Sequence, residues 1–420
     1  MKKKLRLNSM NNILLKKNTF NTNALIQLTG SKSESNRALI LAALSGGKVK
    51  INNLSTAADT VTLNHILNHQ TQTDEVNVGP AGTAMRFLTA YYAIKNNKII
   101  LTGSDRMKQR PIGILVDALR NLGANIEYQE NDGFPPLAFE GTFVQKTNHI
   151  KIKGNISSQY ITALLLIANS LHNGLNVEIE GELTSKPYVE MTLAMLAQCG
   201  ILHQWENNVI SIANQNFNET TLTIEPDWSA ASYWYMVLAF ADASCITLPN
   251  LKKHSLQGDS AITQIMENFG VSSVFDGDNL VIKNQNKDFK SQLFNLKECP
   301  DLAQSVIVAC AVLGVNASFT GLETLKIKET DRIAALQNEL AKIGVKLIEH
   351  QEIYQLDCSQ KNYPKKITIK TYEDHRMAMA FAPLAMVIDE VEIEEAMVVE
   401  KSYPMFWDDF ASLGFECIEV

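Results

Sequence analysis

The sequence has few cysteines, and their spacings are not those that bind metals or form redox pairs. Its 6 cysteines are scattered, without a C-x-x-C pair, which argues against a metal cage and a dithiol motif. A G-x-S-x-G elbow, a G-x-G-x-x-G turn and a P-loop are also missing. These absences remove support for serine-nucleophile chemistry, dinucleotide binding and P-loop nucleotide binding. The cysteines are expected to be reduced, mostly buried thiols.

Long apolar runs are missing too. The longest uncharged apolar segments, at residues 306–315 and 377–388, fall well short of the roughly 18 residues that a membrane-spanning helix needs. The basic start MKKKLRLNSMNNILLKK has neither the apolar stretch nor the small-residue cleavage site of a secretory signal. We therefore expect a cytoplasmic protein without a membrane partner.

The chain also lacks a net positive charge. The formal net charge is -7, which disfavours nucleic acid as a partner because backbone phosphates bind broad basic surfaces. Small anions are still possible ligands, since a local cluster of Lys and Arg can bind a phosphate. With 420 residues and 45% hydrophobic residues, the chain is expected to form two domains with a cleft.

A repeated unit is the most informative positive feature. It consists of a predicted amphipathic helix, an apolar residue and Gly, and then a strand-like run, which indicates a repeated α/β unit. The copies begin at Leu115, Thr192, Ala261, Arg332 and Asp409, and their glycines are Gly123, Gly200, Gly270, Gly344 and Gly414. A sixth copy, expected between residues 53 and 79, lacks the glycine and the strand and looks trimmed, with a helix predicted from Thr60.

Cation-bearing turns precede the repeated helices, as in LTGSDRMKQRP, FTGLETLKIKETDR and VVEKSYP. Helix N-termini favour anions through free N–H groups and the macrodipole, and a nearby cation reinforces that field. We expect these basic turns to face a common gap and to bind polyanions there. The alternative for any single copy is a solvated helix start without a ligand.

In the first half of the chain, candidate residues occupy several predicted helix starts. Lys32, Ser33 and Arg37 crowd the turn in LTGSKSESNRAL, and Arg110 precedes a proline, in a position suited to carboxylate or phosphate. Gly82 in AGTAMR lets backbone N–H groups approach a ligand. NISSQY supplies three neutral hydrogen-bonding residues, Ser157, Ser158 and Gln159, for which simple N-capping is the alternative.

In the second half, Asp301 opens an apolar helix, where an ordinary capping Asp is the alternative. LKIKETDR contains Lys328, Glu329 and Arg332, and Lys401 lies in VVEKSYP. YEDHRMAMAF contains Arg376, and its Asp-His-Arg cluster is also consistent with a structural ion pair.

Taken in order, GSKSESNRALILAAL, AGTAMR, RPIG, SSQY, SKPY, PDWSAASYW, LKIKETDR, YEDHRMAM and EKSYP resemble the 5-enolpyruvylshikimate-3-phosphate (EPSP) synthases over nearly the whole chain. The resemblance implies a two-lobed inside-out α/β barrel, with three βαβαββ units in each lobe and the first unit trimmed. One lobe would comprise residues 1–30 and 228–420, and the other residues 31–227, with a hinge near residues 30 and 227. A monomer is the family expectation.

The resemblance also assigns substrates and residues. The chain would transfer the enolpyruvyl group of phosphoenolpyruvate to the 5-hydroxyl of shikimate-3-phosphate, on the route to chorismate and the aromatic amino acids, without a metal or organic cofactor. Shikimate-3-phosphate would contact Lys32, Ser33, Arg37, Ser157, Ser158, Gln159, Ser185, Asp301, Thr324 and Lys328. Phosphoenolpyruvate would contact Lys32, Gly82, Arg110, Gln159, Arg332, Arg376 and Lys401. Asp301, Glu329 and Lys32 would be catalytic.

The sequence departs from the family pattern at three positions. Pro80 stands where Asn is common, Phe87 where Pro is usual, and Thr324 where Asn is common. The first two could reshape the phosphoenolpyruvate pocket, and the third keeps only part of a contact.

Two alternatives stay open. One is the related enzyme that transfers enolpyruvyl to UDP-N-acetylglucosamine, although the TGSDRMKQRP loop lacks the cysteine of most of its members. The other is an inactive anion-binding relative, against which Asp301 and Glu329 argue, since a binder of anions gains nothing from carboxylates.

Overall fold

The structure is a computed structural model that describes residues 12–69, 74–95, 98–155, 157–242, 244–285, 289 and 292–420. Most of the basic start considered above, residues 1–11, lies outside the described residues. The chain divides into two compact units, and each is described by itself. The first unit is Met1–Thr29 with Glu225–Val420, and the second is Gly30–Ile224.

The elements up to residue 224 are as follows in chain order. They are β1 (Ile13–Lys17), β2 (Asn23–Leu25), α1 (Lys32–Leu44), β3 (Val49–Asn52), α2 (Ala58–Asn68), β4 (Glu75–Asn77), α3 (Gly82–Ala93), β5 (Ile99–Thr102), α4 (Asp105–Lys108), α5 (Gly113–Leu122), β6 (Ile126–Tyr128), β7 (Leu137–Phe139), β8 (His149–Lys153), α6 (Ser158–Ala168), β9 (Leu175–Glu180), α7 (Lys186–Gln198), β10 (Gln204–Glu206), β11 (Val209–Ile212) and β12 (Thr220–Thr223).

The remaining elements belong to the first unit. They are α8 (Trp228–Phe240), β13 (Cys245–Pro249), α9 (Ile262–Glu267), β14 (Val271–Asp276), β15 (Asn279–Asn284), β16 (Leu293–Asn295), α10 (Ala303–Leu313), β17 (Ser318–Thr320), α11 (Arg332–Ala341), β18 (Lys346–His350), β19 (Ile353–Asp357), β20 (Lys366–Ile369), α12 (His375–Phe381), β21 (Glu390–Ile393), α13 (Phe406–Ser412) and β22 (Phe415–Glu419). Short 3-10 helices span Gly258–Ala261, Pro300–Leu302, Glu323–Ile327, Ala382–Met386 and Ala396–Lys401.

The sheets repeat one topology. In the second unit, β4 and β5 are parallel, β7 adds antiparallel to β5, and β6 completes a four-stranded sheet. The order β8-β9-β11-β10 reproduces this pattern, as do β16-β17-β19-β18, β2-β13-β15-β14 and β20-β21-β1-β22 in the first unit. The chain therefore has an α/β fold with mixed sheets, built from a recurring unit.

The trimmed copy is visible as a two-stranded sheet. Strands β3 and β12 form a parallel pair, without the antiparallel strands that the other sheets add among the described residues. The helix of this copy begins at Ala58, two residues before the Thr60 that the sequence predicts.

The repeat glycines have the predicted backbone conformation. All five have positive φ, from 71° at Gly344 to 121° at Gly123, a region that residues with a Cβ rarely adopt. A Cβ on Gly123 would lie 2.0 Å from the carbonyl oxygen of Val144, and one on Gly414 would lie 1.9 Å from that of Thr19. Glycine is therefore required at these positions both by conformation and by close backbone approach.

Buried helices form the centre of each unit. In the first unit α8, α10 and α12 pack together, and almost every residue of α10 and α12 is buried. In the second unit α1, α3 and α6 pack in the same way. Polar residues at the starts of such helices are held firmly, because side chains on every face of the helix are packed. No helix in the described parts of the chain is long and apolar enough to cross a membrane.

Candidate functional site

In the second unit, the start of α1 places Lys32 and Arg37 on successive turns. Ser31 caps the helix by accepting a hydrogen bond from the Glu34 N–H. The ammonium group of Lys32 lies 3.7 Å from the Asp59 carboxylate of α2. Two helix starts are thus linked by an ion pair that is mostly shielded from solvent.

Arg37 is a buried cation surrounded by neutral acceptors. Its side chain donates to Thr192 Oγ1 at 2.8 Å, to the Ser33 carbonyl at 2.8 Å and to the Tyr188 carbonyl at 3.0 Å. Among the described residues no carboxylate lies within ion-pair distance of its guanidinium, and burial lowers the pKa of Arg37 to about 10. A buried charge without a counterion is costly. The position therefore favours binding of an anion.

Two aromatic rings flank this guanidinium. The carbon Cζ of Arg37 lies 5.7 Å from the ring centroid of Phe87 and 5.9 Å from that of Tyr188. Phe87 is completely buried on α3. One of the departures from the family pattern thus contacts an expected binding residue directly.

Gly82, at the first position of α3, lies against two arginines. A Cβ at Gly82 would lie 2.5 Å from Nη1 of Arg110 and 2.8 Å from Nη1 of Arg86. The residue before it, Ala81, provides no side-chain cap, so backbone N–H groups remain at this helix start. Two guanidinium groups at the N-terminus of a helix are an arrangement that favours anions.

The start of α6 adjoins the start of α3. The side-chain amide nitrogen Nε2 of Gln159 donates to Thr83 Oγ1 at 3.3 Å. Ser157 caps α6 by accepting from the Gln159 N–H, so the capping alternative holds for this serine. Ser158 is buried. Ser185 precedes α7 and has a left-handed backbone conformation, with φ of 56°.

In the first unit, Arg332 is the centre of a carboxylate cluster. It is 1% exposed and donates to Asp374 at 2.6 Å, to Glu329 at 2.9 Å and to Asp301 at 3.2 Å. Burial works to lower the pKa of Arg332, but Asp374, Glu329 and Asp301 together raise it above its usual value. The guanidinium is therefore permanently charged and orients three carboxylates.

Asp301 bridges two arginines. Its Oδ1 accepts from Arg332, and its Oδ2 lies 2.8 Å from Nη2 of Arg376. The N-cap position of α10 is occupied by Leu302 and not by Asp301, and helix capping does not account for these two contacts. A carboxylate has about four acceptor sites, and a guanidinium on each oxygen still leaves capacity for a substrate hydroxyl.

Glu329 links Arg332 to Lys401. Its Oε2 accepts from Arg332, and its Oε1 lies 3.2 Å from the ammonium group of Lys401. Thr324 and Lys328 are half-buried on the segment before α11. Lys326 of the same motif instead pairs with Glu349 on the surface, at 2.7 Å.

The Asp-His-Arg cluster has both a structural and a functional part. Asp374 is fully buried, caps α12 by accepting from the Arg376 N–H, and holds Arg332. Arg376 reaches Asp301. Asp374 therefore fixes the position of Arg332 and of the start of α12. The sequence motif alone did not distinguish this role from that of a simple ion pair.

The two histidines of the segment HILNH contact each other. His65 in α2 and His69, the C-cap residue of that helix, stack their rings at 4.3 Å, and Nδ1 of His69 bonds the His65 carbonyl. Within the described ranges no group of three His, Cys, Asp or Glu side chains could hold a metal ion.

Comparison with known proteins shows similarity over most of the chain. The profile of the family "EPSP synthase (3-phosphoshikimate 1-carboxyvinyltransferase)" matches residues 17–410. A 3-phosphoshikimate 1-carboxyvinyltransferase of Bacteroides fragilis is 45% identical over 93% of this chain and 95% of its own. The enzyme of that name from Haemophilus influenzae is 34% identical over 92% of this chain and 96% of its own.

A solved structure supports the fold. The EPSP synthase of Acinetobacter baumannii superposes with a TM-score of 0.73, over 97% of this chain and 100% of its own, at 18% identity. The fold of this chain is thus similar to that of a solved EPSP synthase. The chain belongs to the EPSP synthase family.

Proposed function

We infer that this protein is an enzyme that transfers the enolpyruvyl group of phosphoenolpyruvate to the 5-hydroxyl of shikimate-3-phosphate and releases phosphate, in the shikimate pathway. The observation that carries this conclusion is the 45% identity to the Bacteroides fragilis enzyme over 93% of the chain. The carboxylates Asp301 and Glu329 argue against an inactive anion binder, and the family match does not favour UDP-N-acetylglucosamine as acceptor.

We propose that both units contribute substrate-binding residues. Shikimate-3-phosphate binds to Lys32, Ser33, Arg37, Ser157, Ser158, Gln159, Ser185, Asp301, Thr324 and Lys328. Phosphoenolpyruvate binds to Lys32, Gly82, Arg110, Gln159, Arg332, Arg376 and Lys401. The buried guanidinium of Arg37 and the arginines beside Gly82 support this assignment for the second unit.

Proton transfer falls to the carboxylates. Asp301 accepts the proton of the 5-hydroxyl while the oxygen attacks C2 of phosphoenolpyruvate, and the guanidinium groups of Arg332 and Arg376 favour the ionised form that a base needs. Glu329, with Lys328 and Lys32, delivers a proton to C3 and removes one again as phosphate leaves. The Lys and Arg side chains assigned to phosphoenolpyruvate stabilise the negative charge of the departing phosphate.

The finer architecture is part of this proposal. Each lobe is an inside-out α/β barrel of three βαβαββ units, and the buried helices and recurring sheets support it. The lobes are residues 1–30 with 228–420 and residues 31–227, with a hinge near residues 30 and 227. A monomeric state and a cytoplasmic location stay predictions.

The acceptor can be tested directly. Purified protein is mixed with phosphoenolpyruvate and either shikimate-3-phosphate, UDP-N-acetylglucosamine or no acceptor, and phosphate release is followed. We expect release only with shikimate-3-phosphate. Release with the nucleotide sugar alone would refute the assigned acceptor, and release with neither would refute the activity.

Gly82→Ala should weaken phosphoenolpyruvate binding. The added methyl group would collide with the guanidinium of Arg110, and a shift of about 1 Å in a positioning group can cost roughly 10²-fold. We expect KM for phosphoenolpyruvate to rise roughly 10- to 100-fold, with KM for shikimate-3-phosphate little changed. Gly113→Ala is the matched control, because Gly113 also begins a helix but its nearest neighbour is at 3.3 Å. Equal effects of the two changes would contradict this reasoning.

Phe87→Leu should weaken shikimate-3-phosphate binding. The ring lies beside the buried guanidinium of Arg37, and such cation–π contacts contribute up to about 2 kcal/mol when desolvated. We expect Kd for shikimate-3-phosphate, measured by calorimetry, to rise about 5- to 30-fold, the equivalent of about 1–2 kcal/mol. Phe139→Leu removes an equally buried ring that packs on Tyr92 instead. An unchanged Kd in Phe87→Leu would show that the ring does not position Arg37.

A further inference from the structure

We propose that Asp259 is a positioning residue of the enolpyruvyl transfer, which acts through Ser229 to fix where the guanidinium of Arg376 lies relative to Asp301. The proposal rests on the proposed role of Asp301 as the base that accepts the hydroxyl proton. It adds a fourth carboxyl group behind the Asp301, Glu329 and Asp374 cluster.

Four side chains from four elements form a continuous chain of contacts. Asp259 lies in the 3-10 helix Gly258–Ala261 and is 2% exposed. Its Oδ2 accepts a hydrogen bond from Oγ of Ser229, the second residue of α8. That Oγ lies 3.4 Å from Nη2 of Arg376. The same Nη2 lies 2.8 Å from Oδ2 of Asp301.

Local helix capping does not account for the pair. Helix α8 is capped by Asp227, which accepts from the Ala230 N–H. The 3-10 helix that contains Asp259 has no side-chain cap, and neither has α9 after it. The Ser229 hydroxyl instead lies between the carboxyl group of Asp259 and the guanidinium of Arg376. A buried carboxyl group therefore lies one hydroxyl away from the arginine on Asp301.

The electrostatics give Asp259 a tuning role. Burial and then the nearby Asp301 raise the pKa of Asp259, while Arg376 and the Ser229 hydrogen bond oppose this and Asp227 adds to it. Burial and then the charge of Asp259 raise the pKa of the Cys299 thiol. A protonated Asp259 leaves Arg376 to Asp301. An ionised Asp259 competes for the same guanidinium.

The test compares Asp259→Asn with the wild type in the phosphate-release assay between pH 5.5 and 9. The substitution keeps the size of the side chain and removes its ionisation. We expect kcat/KM to fall about 10- to 100-fold, comparable with the loss on removing the supporting partner of a metal ligand. We also expect a change in the pH profile, which a purely structural loss would not produce. Glu339→Gln is the matched control, since Glu339 is a buried carboxylate bonded to Lys342, Tyr372 and the Lys370 N–H.

Ser229→Ala supplies a second variant that leaves Asp259 intact. If Asp259 acts through this hydroxyl, each single change gives a similar loss and the double variant loses little more than either one. Fully additive losses would overturn the proposal, as would a folded Asp259→Asn protein with the wild-type rate and pH profile. If Asp259→Asn does not fold, a wild-type rate and pH profile in Ser229→Ala would overturn it by itself. A wild type that releases no phosphate would instead refute the proposed function, and this proposal with it.

Discussion

Asp301→Asn is expected to lower kcat for phosphate release by at least about 10²-fold, while Kd for shikimate-3-phosphate changes only a few-fold. A general base contributes about 10²- to 10⁴-fold, and an amide cannot accept the proton of the 5-hydroxyl. The amide oxygen can still accept a hydrogen bond from Arg332 or Arg376. Binding therefore survives better than turnover.

The measurement is a single-turnover assay together with calorimetric titration of shikimate-3-phosphate. Asp409→Asn is a suitable control, because Asp409 is also buried but accepts from the Tyr403 hydroxyl. We expect Asp409→Asn to keep the wild-type kcat. A wild-type kcat in Asp301→Asn would remove Asp301 from the mechanism, and an equal loss in Asp409→Asn would point to general destabilisation.

Arg332→Met is expected to have the largest effect on stability. The substitution removes the guanidinium from three carboxylates, of which Asp374 is fully buried. Removing one partner of a buried ion pair costs about 3–5 kcal/mol, because the remaining charge is uncompensated. We expect the free energy of unfolding, from urea denaturation, to fall by about that amount, and turnover to be lost with it.

The pH dependence of this loss has a definite sign. Neighbouring carboxylates that lose their shared cation favour the protonated form more than before, so the folded variant binds protons more readily than the folded wild type. The deficit should therefore be larger at pH 8 than at pH 5. Lys326→Met, which removes an exposed ion pair with Glu349, should cost about 1 kcal/mol or less. A pH-independent deficit in Arg332→Met would contradict the carboxylate cluster as its cause.

Local patterns were enough to predict the repeat. Helix periodicity ending at glycine predicted both the recurring α/β unit and the positive φ of residues such as Gly123 and Gly344. These features depend on a few neighbouring residues, because a helix cap is a local structure. The trimmed copy could be recognised for the same reason, although its helix begins at Ala58 and not at Thr60.

Contacts between distant segments could not be predicted in this way. Asp301 resembles a helix cap in sequence, and only residues 31 and 75 positions further along the chain, Arg332 and Arg376, show what its oxygens bind. The Phe87 ring beside Arg37 and the Ser229 bridge to Asp259 have the same character. Such side chains come into contact only through tertiary packing, and the residues next to them in sequence do not indicate these contacts.

The most direct test of the account is to run the reaction in D₂O with phosphoenolpyruvate and shikimate-3-phosphate and to analyse the product by mass spectrometry and ³¹P NMR. Protonation at C3 creates a methyl group that rotates before a proton is removed. We therefore predict one phosphate released for each enolpyruvyl ether formed, with deuterium in the methylene group of the ether. Phosphate without the ether, or an ether free of deuterium, would contradict the mechanism assigned to Asp301 and Glu329.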